Sequence, residues 1–314
     1  MSNTSTSGTA WMFPGQGSQT EGMLSGLSAA QPLLKEAVRI LGPSAQRLTE
    51  PRQMTWSTDL VQTAVYIAGA GAANALKSRG VTPSAVLGHS LGEVSALVAA
   101  DVVDPLDGLR LVFERGKAMT IAGKKTPGGM AAVIGLDSEV VAGICESIGQ
   151  VWVVNYNSPD QLVIAGSEKS LAAAAEKCLH LGAVKVKRLA VPVAAHTPLM
   201  EPAVESFAKV VEQVEFSPPA CTLYSAVHAA PNADPDEIKQ NIVTAITSPV
   251  RFHQTAESVI SSGINNFIEV GPGRALTRII GRTFTDTTVT TAGTDSDAER
   301  IANEQTDRPL EVAR

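Results

Sequence analysis

The feature that most constrains this chain is short: Gly88-His89-Ser90-Leu91-Gly92, set between the apolar run Ala85-Val86-Leu87 and the alanine- and valine-rich segment from Glu93 to Ala100. A Gly-x-Ser-x-Gly pattern in that setting predicts strand, sharp turn and helix. Its glycines remove Cβ atoms that would collide in the turn, so a serine hydroxyl can be held out at a strand end. The helix after the turn aims unpaired N–H groups and the positive end of its dipole at the same spot, where an acyl oxygen would gain negative charge. Ser90 is therefore the candidate nucleophile. A turn serine without chemistry is the alternative that the bare pattern leaves.

With 314 residues the chain can bury a large core, as one large domain or a large one carrying a smaller insert. Hydrophobic residues make up 44% and charged ones 18%, a globular balance, and no uninterrupted apolar run is long enough to span a bilayer. Residues 1–9, rich in Ser and Thr, lack a basic segment and an apolar stretch, so they read as a disordered lead-in and not as a secretory signal. The three cysteines, Cys145, Cys178 and Cys221, are far apart and odd in number, which fits a reducing cytoplasm and offers no metal-ligand spacing. No metal and no permanent cofactor are expected. A net charge of −6 argues against a nucleic-acid partner.

Ala10-Trp11-Met12-Phe13 reads as a first strand that stops at the loop Pro14-Gly15-Gln16-Gly17-Ser18-Gln19. Thr20 stands where a dinucleotide fingerprint needs its third glycine, which excludes that reading. Helical spacing appears at Leu33, Leu34, Ala37, Val38 and Leu41, and again at Leu60, Ala64, Ile67 and Ala68 behind Ser57-Thr58-Asp59. Asp104-Pro105-Leu106-Asp107 supplies a cap, a first-turn proline and an acid, and opens a helix through about Met119.

The texture changes at Lys124-Lys125-Thr126-Pro127-Gly128-Gly129. Between Met130 and Leu189 the order is strand, helix, strand, strand, helix, strand, with the second strand ending at Val154 and a turn at Asn157-Ser158-Pro159-Asp160. That βαββαβ order is ferredoxin-like. The expected organisation is an α/β body over residues 10–126 and 192–285, with residues 127–191 as an inserted subdomain. In the second part of the body we expect a helix from Val204 to Val214, a strand at Thr222-Leu223-Tyr224, a helix from Gln254, the strand Phe267 to Val270 and a short helix after Gly273. Residues 286–314 are polar and poorly periodic and read as a loose tail.

A serine hydroxyl is a weak nucleophile until a base takes its proton, and histidine suits neutral pH. Among the five histidines, His89 lies beside Ser90, where neighbouring side chains diverge, and supports the turn. His180 ends an amphipathic helix of the insert, and His228 falls in a loop rich in Ala, Pro and Asp. His253 stands where a helix begins. His196 comes after Val191-Pro192-Val193-Ala194-Ala195 at the return from insert to body, where a crevice between two units would lie. Spacing favours His196 but leaves His253 open. No acid is singled out between the serine and the histidine, as the hydrolase chain order would have it; a backbone carbonyl could orient the imidazole instead and make a Ser-His dyad.

Five motifs occur in register: Phe13-Pro14-Gly15-Gln16-Gly17-Ser18-Gln19, Gly88-His89-Ser90-Leu91-Gly92-Glu93, Glu114-Arg115-Gly116-Lys117-Ala118-Met119, Asn155-Tyr156-Asn157-Ser158-Pro159 and Val270-Gly271-Pro272-Gly273. Over about residues 10–285 the chain closely resembles the malonyl-CoA:acyl-carrier-protein transacylases and the related acyltransferase domains of polyketide synthases. The resemblance implies a hydrolase-like, parallel-sheet α/β body with an inserted ferredoxin-like subdomain. It also implies His196 as the base, since the family's histidine stands before a Leu-Met such as Leu199-Met200.

Carried over residue by residue, Ser90 would take a malonyl group from coenzyme A as an ester and pass it to the phosphopantetheine thiol of an acyl carrier protein, in fatty-acid or polyketide synthesis. His196 would act as base and then acid, with the N–H groups of Gln16 and Leu91 as the oxyanion hole. Arg115 would hold the free malonyl carboxylate, with His89, Met119, Asn155 and Asn157 also toward the substrate. Two positions depart from the family. Ala245 stands where a glutamine often lends its carbonyl to the histidine, so only a main-chain role is expected there. Val193-Ala194-Ala195 matches neither the His-Ala-Phe-His pattern associated with malonyl nor the Tyr-Ala-Ser-His pattern associated with methylmalonyl.

Lys185, Lys187, Arg188 and Arg282 are the expected docking residues for an acidic carrier, with ordinary solvated charge as the alternative. Gly129-Met130-Ala131-Ala132 is similar to a stretch of the malonate decarboxylase subunit that loads malonyl onto a carrier, although that subunit's elbow tends to lack His89 and Glu93. From other classes, a serine hydrolase or thioesterase would need a buried acid on His196 and access for water, and a non-catalytic carrier-binding module would not need Ser90.

Overall fold

A computed structural model describes residues 8–49 and 57–306. In chain order the elements are β1 (Thr9–Phe13), α1 (Gln31–Leu41), α2 (Thr58–Lys77), β2 (Ala85–Gly88), α3 (Gly92–Ala99), α4 (Pro105–Lys125), β3 (Gly128–Ile134), α5 (Ser138–Ile148), β4 (Val151–Ser158), β5 (Gln161–Ser167), α6 (Glu168–His180), β6 (Lys185–Arg188), α7 (Glu201–Glu212), β7 (Thr222–Ser225), β8 (Ala230–Pro231), α8 (Pro235–Thr244), α9 (Phe252–Ser261), β9 (Asn266–Val270), α10 (Ala275–Thr283), β10 (Thr288–Ala292) and α11 (Asp295–Thr306).

Six strands form one sheet in the order β10-β9-β1-β2-β7-β8. All its neighbours pair in parallel except β7 and β8. Parallel strands are covered by helices on both faces, and β1 and β2 are accordingly almost continuous apolar runs. Trp11 and Phe13 project into the core on one face, Met12 and Leu87 into that on the other. Because Phe13 pairs with Gly88, the loop carrying Gln16 and the elbow carrying Ser90 leave the sheet side by side at its carboxyl end, where α/β sheets open their crevices.

The second sheet is antiparallel, in the order β4-β5-β3-β6. One face packs Ala131, Val133, Val153 and Ile164 beneath α5 and α6. Met130, Val154, Val163 and Ala165 face the body core instead. The register of β4 shifts between Val153 and Asn155. Such a bulge sets two residues against one on the partner strand and re-aims the side chains beyond it. Here it turns Asn155 and Asn157 toward the body, with Tyr156 on the helix side. The strand therefore continues to Ser158 instead of ending at Val154, because the body supplies the edge with a partner: Val250 N–H donates to Val154 O at 2.8 Å and Tyr156 N–H to Val250 O at 2.9 Å.

α2 is buried nearly all round, so a polar side chain on it must find its partner inside the protein. α4 begins where the cap predicts, with Asp104 accepting from Leu106 N–H at 2.8 Å, and continues past Met119 to Lys125. Asp234 caps α8 in the same way, accepting from the N–H groups of Asp236 and Glu237, inside the segment read from sequence as loop.

The reading of 286–314 as a loose tail is overturned for residues up to 306. β10 pairs with β9 at five positions, and α11 buries Ala298 and Ile301 in the main core. The join between them is fixed by Asp297, whose carboxylate accepts from Gly293 N–H, Thr294 N–H and Thr294 Oγ1. Residues 1–7 of the expected lead-in and 307–314 lie outside the described residues, and Thr9 already belongs to β1.

Candidate active site

The elbow between β2 and α3 carries its strain on the serine. Ser90 has φ +55°, in the left-handed region, whereas neither Gly88 nor Gly92 does. The glycines serve by their lack of bulk: a Cβ on Gly92 would collide with the Phe13 carbonyl, and one on Gly88 with the first turn of α3. A non-glycine residue held at positive φ costs on the order of 1–3 kcal/mol and is retained where the surroundings impose it. His196 shares that property, with φ +64°.

Of the five histidines only His196 reaches the serine, with Ser90 Oγ 2.7 Å from His196 Nε2. Its other ring nitrogen, Nδ1, lies 2.7 Å from Ala245 O and 3.1 Å from Ser248 O. Both are carbonyls, so Nδ1 carries the proton and Nε2 is left as the acceptor for the serine hydroxyl. His196 N–H also donates to Ile246 O at 3.0 Å. One short segment, 245–250, thus grips the imidazole and, through Val250, the bulged edge of β4. His253 lies elsewhere, 3.4 Å from Glu257 and stacked on Phe284; His228 bonds Asn241 and His180 is exposed at the end of α6.

Arg115 comes from α4 and is only 4% exposed. Its Nη2 donates to Ser90 Oγ at 3.2 Å and its Nη1 to Gln62 Oε1 at 2.9 Å. Gln16, Leu91, His89, Met119 and Asn155 complete the crevice around Ser90, which has a free volume of about 70 Å³. Neither the Gln16 nor the Leu91 main-chain N–H is taken by a hydrogen bond among the described residues. Asn157 stands behind the crevice and accepts from His89 Nε2–H at 2.9 Å, while Phe252 packs on the His89 ring. Asn155 Oδ1 is buried with no partner.

Residues 10–305 match the sequence family described as acyl transferase domain. The chain belongs to that family. Among curated relatives, it is 36% identical over 286 residues to the malonyl CoA-acyl carrier protein transacylase of Escherichia coli K12 and 37% identical over 290 residues to that of Haemophilus influenzae, each time over 87% of this chain and 92% of the relative. Among solved structures, a malonyl-transacylase in complex with its type II PKS acyl-carrier protein is similar with a TM-score of 0.90 and 33% identity, over 95% of this chain and 100% of the other.

In this acyl transferase burial is the largest influence on how the ionisable groups of the site titrate. Burial first, then the Arg115 cation and His89, push the His196 imidazolium down to about 3, against the two carbonyls that favour it. The imidazole is thus neutral at neutral pH. Burial lowers Arg115 to about 10, opposed by Glu93, and it stays a cation. Burial raises Glu93 to about 7, against the Ala226 N–H that it accepts at 3.0 Å and against Arg115. Burial also lowers His89.

The four basic residues expected to dock a carrier are not alike. Lys185 and Lys187 are exposed on the edge strand β6, on the face opposite Val186, which packs beneath the helices of the small sheet. Arg188 is held by Glu168 of α6 at 2.5 Å. Arg282 lines a separate cavity of about 370 Å³ together with Ile134, Ser158 and Asp160. Gln62, buried on α2 and bonded to Arg115, joins the site without having stood out in the sequence. The available signal was a glutamine between Val61 and Ala64 in a helix that is otherwise mostly apolar.

Proposed function

We propose that this acyl transferase moves a malonyl group from malonyl-CoA, through an ester on Ser90, to the phosphopantetheine thiol of an acyl carrier protein, as a step of fatty-acid or polyketide synthesis. The observation that carries this reading is the seat of Ser90 Oγ, 2.7 Å from the acceptor nitrogen of a neutral imidazole and 3.2 Å from a buried guanidinium. The first neighbour makes the hydroxyl a nucleophile. The second is a cation for an acyl group that itself carries a carboxylate.

Ser90 Oγ attacks the thioester carbon as its proton passes to His196 Nε2. The carbonyl oxygen takes up negative charge facing the free N–H groups of Gln16 and Leu91; losing one donor of this kind slows turnover about 10²–10³-fold. When the tetrahedral intermediate collapses, the C–S bond breaks and the leaving thiolate takes the proton back from His196. The carrier's thiol then repeats these steps in reverse on the Ser90 ester. Arg115 turns from Ser90 Oγ to the malonyl carboxylate, which it can hold bidentately. Hydrogen bonds to charged groups contribute about 1.5–3 kcal/mol each, enough to favour malonyl over acetyl by tens of fold or more. The narrow crevice restricts the acyl group to a short one.

A hydrolase would pair His196 with a buried acid; here Nδ1 faces two carbonyls. No helix among the described residues is long and apolar enough to cross a membrane, and three free cysteines suit a cytoplasmic enzyme. Mass spectrometry of the protein mixed with a pool of acyl-CoAs tests the reading. Malonyl on Ser90, absent in Ser90→Ala, is expected; acetyl as the main adduct, or no adduct on Ser90, would overturn it.

A further inference from the structure

We infer that Gln62 is a positioning residue, which turns the Arg115 guanidinium toward Ser90 before substrate arrives and so sets the preference for a carboxylated acyl group. The inference rests on the reading that Arg115 receives the malonyl carboxylate. Gln62 sits on α2 and is 1% exposed. Its Oε1 accepts from Arg115 Nη1 at 2.9 Å, and its Nε2 makes longer contacts to Gln16 Oε1 at 3.5 Å and Met119 Sδ at 3.7 Å. The amide cannot flip, since its NH₂ would then face the guanidinium donor to donor.

Two adjacent nitrogens of the guanidinium are thereby tied down, Nη1 to Gln62 and Nη2 to Ser90 Oγ. Two points fix the plane of this rigid fork. Both partners are neutral. A carboxylate at this position would orient the cation equally well but would neutralise it and compete with the substrate's own carboxylate; an amide orients the charge and leaves it available. The close approach that makes the contact possible is written into α4, where a Cβ on Gly116 would collide with Asp59 Cα one turn before Gln62.

The test compares transfer from malonyl-CoA and from acetyl-CoA in Gln62→Leu, Arg115→Ala and the double variant. Gln62→Leu is expected to lower kcat/KM for malonyl-CoA about 10- to 100-fold, mainly through KM, and that for acetyl-CoA far less. Added to Arg115→Ala it should change malonyl transfer less than about 3-fold, because the pair acts as one unit. Equal losses for both acyl groups, or a full additional loss in the double variant, would overturn the inference and leave Gln62 a packing residue. If Gln62→Leu does not fold, Gln62→Glu serves. It keeps the acceptor and adds a competing charge, so malonyl KM should rise without a matching loss of acetyl transfer; an unchanged malonyl KM would refute the role. Should Arg115→Ala itself leave malonyl transfer intact, the reading of Arg115 fails. Should Arg115→Ala lose malonyl transfer and Gln62→Leu not, the role of Gln62 alone fails.

Discussion

The two walls of the Ser90 crevice differ in how they treat polar groups. On the body side, Ser90, His196, Arg115, Gln62 and Gln16 are joined in one chain of hydrogen bonds. On the small-sheet side the lining is Met130, Leu189 and Val191, and the amide oxygen of Asn155 is buried without a partner. Groups paired with one another in this way are oriented before the substrate arrives, which is what charge stabilisation in a transition state requires. An unmet acceptor in an apolar wall is costly unless something fills it, and the pantetheine arm shared by coenzyme A and the carrier has amide N–H groups to offer. In the proposed reaction the body wall would act on the acyl group, and the small sheet would line the passage for the arm.

The sharpest way to break this division is His196→Ala. Acylation by malonyl-CoA should slow about 10²–10⁴-fold, and single-turnover kinetics would show it. The same assay on the unaltered protein gives a second check. With the His196 pKa lowered from 6.5 to about 3, the base form persists as pH falls through 6.5 and is lost only on approaching 3. The acylation rate should therefore stay level through that range, and an inflection near the ordinary histidine value would mean that the imidazole is not held dry.

Next in size is Arg115→Ala, expected to cost malonyl transfer tens of fold while acetyl transfer is kept or gained. Equal loss of both would place Arg115 in the chemistry of Ser90 and erase the distinction between its two roles. The smallest effect belongs to the outer edge of the small sheet. Reversing Lys185 and Lys187 to glutamate should raise the carrier protein's KM several-fold at low salt, less at high salt, and affect a small thiol acceptor least. A salt-independent result would leave the strand without a docking role.

The elements that bury apolar runs were legible in the sequence, among them β1, β2 and the whole βαββαβ order, because their periodicity is set by burial itself. The elbow was legible for the same reason. The positive φ of Ser90 and His196 was not, since it arises from how β2 meets α3 and how segment 245–250 grips the ring. Spacing favoured His196 without excluding His253, because the choice depends on which one the fold brings to within 2.7 Å of Ser90. The carbonyls of Ala245 and Ser248 carry no side-chain signature at all. Gln62 was missed because a single buried amide barely disturbs the pattern of a mostly apolar helix. β10 and α11 were missed because Thr-Val-Thr-Thr-Ala buries only its alanine, and α11 only two residues.

That last pair has a consequence for the large sheet as a whole. β9 is a buried strand, with Phe267, Ile268 and Val270 all covered, and an uncapped strand of that kind invites pairing with another chain. β10 occupies its open side with threonines, a row that satisfies the ladder yet offers a neighbouring molecule little to bury. The final described stretch thus moves the open edge of the sheet from an apolar strand to a threonine-rich one. A chain cut short before Thr288 would meet its copies along an apolar, hydrogen-bond-hungry edge.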